Sequence, residues 1–109
     1  MSYSEKQLQH KINTFEDVTI ALRNLYEAKN RDYGDSFGQS FQKWGLPMSC
    51  IRLGDKMNRL ESFAQKKEMF VNDESVEDTL MDMANYAIMT LVEIRMEREK
   101  MEGEQLCLK

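Results

Sequence analysis

The sequence predicts an all-α protein, a small bundle of about four helices with a long C-terminal helix. Three observations carry this. Apolar residues recur every three or four positions along most of the chain, the rhythm of one helix face. No run alternates with period two for long enough to make a strand. The 109 residues include one proline and five glycines, and 31% of them are charged, which suits long helices with a solvated face.

Residues 1–13 are polar and read as a leader, either loose or a short first helix. Thr14 then precedes Asp17 in the spacing of a capping box. Val18, Ala21, Leu22, Leu25 and Ala28 follow at helical intervals, so a helix is expected from Thr14 to about Arg31 or Asp32. Gly34 can end it in a left-handed conformation. Asp35 and Ser36 are natural caps for the next element. Phe37, Phe41 and Trp44 recur at intervals of four and three, giving a short amphipathic helix closed by Gly45, with Trp44 expected as a core anchor. Pro47 suits the first turn of a third helix. Leu53, Met57, Leu60 and Ala64 form that helix's expected core stripe, which fades near Lys66 or Lys67. Val71-Asn72-Asp73 reads as a turn, with Asp73 capping the last helix. Val76, Leu80, Ala84, Ala87, Leu91 and Ile94 make the expected inner seam of this helix, which is expected to reach about Met101. Residues 14–101 would then form a single helical domain, and residues 102–109 a flexible tail.

Met81, Ile88 and Val92 add apolar surface on another side of the last helix. A helix of about 29 residues is about 43 Å long, more than a small domain can cover. Both features predict a homo-oligomer.

The net charge is −4, with 15 basic and 19 acidic residues interleaved. A duplex-binding protein clusters its Lys and Arg, so no nucleic-acid partner is expected. No stretch approaches the roughly 18 apolar residues of a membrane span, and the amino terminus has no apolar signal core. The expected location is the cytoplasm. Cys50 and Cys107 form no CxxC or Cys/His cluster, so no zinc site is expected.

Three groups of residues could carry chemistry. Asp78 and Asp82 are four apart and share a helix face, with Glu74 a turn earlier and Asn85 about a turn later. Mg²⁺ takes one or two carboxylates and leaves its other positions to water and phosphate oxygens. A solvated acidic face is the plainer reading. Asp55 lies on the third helix with Asn58 and Arg59 one turn on. It either pairs locally with Arg59 or faces Asp78 and Asp82 across a groove, where Arg52, Lys56 and Arg59 could meet phosphate oxygens. Lys29, Asp32 and Tyr33 cluster at a helix end before Gly34, where a phosphate or base contact competes with a plain surface turn. His10, the single histidine, has no nucleophile beside it in sequence.

KNRDYGDSF at 29–37, IRLGDKMNRL at 51–60 and DESVEDTLMDMANYAIM at 73–89 together resemble a family of phages and their hosts, nucleotide modification associated domain 1. The resemblance spans about residues 14–95. Some members carry a nucleotide-kinase label, but this chain has no GxxxxGK[ST] loop. The family is in turn distantly similar to the MazG and dimeric dUTPase-like all-α nucleoside triphosphate pyrophosphohydrolases. That resemblance implies an oligomeric helical bundle with Mg²⁺ held between acids of two helices. It places Asp55, Asp78 and Asp82 as metal ligands. From the residue pattern, Lys29, Asp32, Tyr33, Arg52, Lys56, Asn58, Arg59 and Asn85 are the expected contacts to nucleotide and phosphate. The enzymes carry ExxE on the first of these helices, where this chain has Asp55 and Asn58, one charge fewer.

Three functions are therefore expected to compete. The first is Mg²⁺-dependent hydrolysis of a nucleoside triphosphate. The second is a sponge that holds a signalling nucleotide of bacterial antiviral defence without cleaving it. The third is a helical protein-interaction module.

Overall fold

A computed structural model describes residues 3–66 and 74–107. Four helices follow one another: α1 (Glu5–Tyr33), α2 (Ser36–Trp44), α3 (Leu46–Gln65) and α4 (Glu74–Cys107). There is no strand among the described residues. The chain divides into two compact units, residues 1–34 and 35–109.

The first unit is α1. It starts nine residues before Thr14, because Ser4 and Gln7 make a complete capping box. Gln7 N–H donates to Ser4 Oγ at 3.1 Å, and Ser4 N–H donates to Gln7 Oε1 at 2.8 Å. Leu8, Ile12 and Phe15 also extend the stripe of Leu22 upstream at helical spacing. Thr14 sits inside the helix, where its hydroxyl donates to the His10 carbonyl at 3.0 Å. Gly34, at φ 55°, ends the helix as expected.

The second unit is α2, α3 and α4. Gly45 closes α2 and opens α3 at φ 71°, with Pro47 in the first turn. Phe37 and Met48 supply its buried apolar side chains. Trp44 is not a core anchor: it is 64% exposed, and the Lys43 ammonium lies 5.4 Å over its ring. The Val71-Asn72-Asp73 turn and the Asp73 cap lie outside the described residues. The last helix passes Met101 and continues to Cys107. Opposite charges one turn apart, Arg95/Glu99, Arg98/Glu102 and Lys100/Glu104, favour helix beyond the last apolar residues of the seam.

Two contacts make α3 and α4 antiparallel. Ser49 bonds Thr90, and Lys56 bonds Asp82. These contacts also set the rotation of both helices, which differs from expectation. The inner stripe of α3 runs Ser49, Leu53, Lys56, Leu60 and Phe63, while Met57 and Ala64 are exposed. The inner stripe of α4 runs Ser75, Thr79, Asp82, Tyr86, Thr90 and Glu93. Leu80, Ala87 and Leu91, expected inside, are exposed. Polar side chains line the interior here because they satisfy one another or the helix backbone. Thr79 and Thr90 donate to the carbonyls four residues back, each at 2.7 Å.

Candidate functional site

The site candidate is one edge of the α3–α4 seam, centred on Lys56 and Asp82. Lys56 Nζ is 2.9 Å from Asp82 Oδ2, and both side chains are 25% exposed. The lysine stem occupies a seam position between Leu53 and Leu60, which keeps its apolar carbons out of water and its ammonium at the rim.

Helix geometry assigns the neighbours. At 100° per residue, Arg52 and Arg59 both lie within about 60° of Lys56, on the same flank of α3. Asp78 and Asn85 stand in the same relation to Asp82 on α4. Antiparallel packing brings the two flanks to one edge. Counting outward from Lys56–Asp82, Arg59 comes level with Asp78 and Arg52 with Asn85, each within one residue. Arg52, Arg59 and Asp78 are exposed, and Asn85 is buried. The Arg59 guanidinium lies 5.8 Å from the centroid of the Phe63 ring. The edge therefore presents three cations and the carboxylates of Asp78 and Asp82, with Asp82 already compensating Lys56 and Asp55 one turn from both Arg52 and Arg59.

Asp55 and Asn58 are both exposed. Asp55 lies about 100° from Lys56, on the flank of Arg52 and Arg59, and Asn58 about 160° from Lys56 around the helix. Lys29, Asp32 and Tyr33 occupy the last turn of α1, all exposed, in the other unit. Among the described residues, no three His, Cys, Asp or Glu side chains stand together as a metal-ligand set.

Several features escaped the sequence pattern. Phe37 and Tyr86 stack with centroids 6.0 Å apart, which ties α2 to α4. At the same junction, burial raises the carboxyl of Glu93 above its ordinary value, and the nearby charge of Asp35 raises it further. Asp35 folds its carboxylate onto the first turn of α2, where Gly38 leaves room; a Cβ at residue 38 would collide with it. No spacing rule marks these residues. Their signal was an acid, Glu93, on the same helical stripe as Tyr86 and Thr90.

A family model described as nucleotide modification associated domain 1 matches residues 29–94, more than half of the chain. No curated protein and no solved structure matches the chain. Among the described residues, no helix is long and apolar enough to cross a membrane.

Proposed function

The chain belongs to the nucleotide modification associated domain 1 family, and from that premise we propose that it binds a nucleotide through its phosphates at the Arg52–Lys56–Arg59 edge of α3. The observation that carries the reading is the register of the α3–α4 pair. It gathers three cations within two helical turns and leaves two of them, Arg52 and Arg59, exposed. Guanidinium groups match phosphate oxygens in fork geometry, and a lysine adds a point charge.

The reading is of a protein that holds a nucleotide rather than cleaves it. A hydrolase of the resembled kind needs several carboxylates to keep a cation and activate water. Here Asp82 is engaged by Lys56, and Asp55 lies outside the inner stripe of α3, one turn from Arg52 and Arg59. A nucleotide panel tests this, with and without Mg²⁺, read by thermal shift and by product formation. Binding without turnover is expected, and Arg52→Ala with Arg59→Ala should remove it. Product formation by the wild type would replace the reading with catalysis. No shift with any nucleotide would sink it.

A further inference from the structure

Leu80, Ala84, Ala87 and Leu91 form a stripe on the side of α4 away from Asp82, Tyr86 and Thr90. Their spacings are four, three and four, the rhythm of helices that pair along a seam. Leu80 and Leu91 are 47% and 48% exposed, and Ile88 beside them is 47% exposed. The inner face of the same helix is already occupied by contacts to α2 and α3. A helix apolar on its outer side as well needs cover there.

The order Leu-Ala-Ala-Leu reads the same in both directions, and this identifies the cover. Across a two-fold axis, if residue i meets residue j of the partner, then j meets i. Reversing the stripe about the point between residues 85 and 86 sends Leu80 to Leu91 and Ala84 to Ala87. The small alanines sit at the centre, where two helices must approach closely, and the leucines fill the space to either side. The same reversal brings Glu77 level with Arg95 within one residue. Both are exposed, and both lie on this side of the helix. A lone apolar stripe would accept many helices. One that is palindromic and flanked by self-complementary charges suits a second copy of itself.

We propose that α4 pairs antiparallel with α4 of a second copy of this chain. Leu80 packs on Leu91 of the partner subunit, Ala84 on the partner's Ala87, and Glu77 faces the partner's Arg95. The pairing leaves the Lys56–Asp82 edge on the other side of the helix, so dimerisation and nucleotide binding are separable.

The test uses the full chain in sedimentation and light scattering from about 1 to about 100 µM, where mass action sets the dimer fraction. Wild type should have the mass of two chains. Glu77→Arg and Arg95→Glu each place like charges across the axis twice. Each should move the dimerisation midpoint at least about tenfold upward in concentration. The double exchange, Glu77→Arg with Arg95→Glu in one chain, should bring it back to within about threefold of wild type. Leu80→Glu with Leu91→Glu should give a monomer that keeps its helical circular dichroism. A wild type that is monomeric throughout the range overturns the proposal. So does a dimer unmoved by the leucine exchanges, whether the cover is then the chain's own α1 or another protein. If the leucine variant unfolds, the charge exchanges decide alone: failure of the double exchange to restore the dimer overturns the register.

Discussion

Lys56 of α3 holds Asp82 of α4 at 2.9 Å, and three-quarters of each side chain is out of water. Sequence spacing alone sets Asp82 against Asp78, one turn away, and so predicts that neutralising Asp82 relieves repulsion. The ion pair reverses that sign. Asp82→Asn leaves a partly buried ammonium facing an amide. It should destabilise the ligand-free protein by about 1 kcal/mol, more than an exposed pair and less than a fully buried one. A double-mutant cycle with Lys56→Met, read by urea unfolding, should show coupling of similar size.

Ser49 and Thr90 lie 2.7 Å apart in the interior, exposed by 1% and 8%. Thr90 also donates to the Tyr86 carbonyl at 2.7 Å. A hydroxyl has one proton, so Ser49 is the donor to Thr90. Thr90→Val removes the acceptor and leaves the buried Ser49 hydroxyl without this partner. The expected loss is about 1–3 kcal/mol. Ser49→Ala should cost less, because Thr90 keeps its carbonyl. The double variant should cost less than the sum of the two, measured by urea unfolding.

The break points of the fold were legible because their residues have local physics. Gly34 and Gly45 take positive φ, and Pro47 sits in a first turn, all readable from single residues. The start of α1 was less so. Thr14 and Asp17 imitate the capping spacing that Ser4 and Gln7 complete, and only the Leu8–Ile12–Phe15 stripe separates the two starts. The rotation of α3 and α4 was not legible. Hydrophobic periodicity places the most apolar face inward, whereas here Ser49, Thr90, Lys56 and Asp82 turn inward in bonded pairs. Such pairs join residues far apart in sequence, so no local pattern distinguishes a partnered lysine from a solvated one. For the same reason the edge shared by Arg52, Lys56, Arg59, Asp78, Asp82 and Asn85 follows from the α3–α4 pairing and from no local pattern.

Glu93 predicts a pH dependence. Burial first, and the charge of Asp35 second, raise its carboxyl above 4.5 in the folded protein. Between that ordinary value and the raised one, the folded state binds more protons than the unfolded state. Glu93's contribution to stability is therefore full below the ordinary value and falls as pH rises through the folded one. Glu93→Gln should raise the melting temperature at neutral pH and remove this part of the slope. Asp35→Asn should bring the Glu93 carboxyl partway back, because burial remains. Carbon-detected titration of the Glu93 carboxyl checks the second statement. A Glu93 unmoved by Asp35→Asn would mean the two carboxylates do not feel each other.

Asp82 also separates the two ways in which this edge could meet a nucleotide. Phosphate oxygens compete with a carboxylate for the same ammonium, so a ligand that engages Lys56 must loosen the Lys56–Asp82 pair. Asp82→Asn removes the competitor and one negative charge close to the phosphates. Binding without Mg²⁺ should tighten, by about three- to tenfold, the equivalent of about 1 kcal/mol, even though the ligand-free protein is less stable. Affinity should also fall as salt rises, since the contacts are between exposed or rim charges. If Asp82 instead serves as a ligand to Mg²⁺, the same exchange removes a unit charge from the cation's shell, and Mg²⁺-dependent binding should weaken. Titration calorimetry of wild type and Asp82→Asn, with one nucleotide in the presence of Mg²⁺ and of a chelator, gives the answer. Tighter binding in chelator supports direct phosphate capture by Lys56. Weaker binding confined to the Mg²⁺ arm would return Asp82 to a metal site. Equal affinity in all four titrations would place the nucleotide away from this edge.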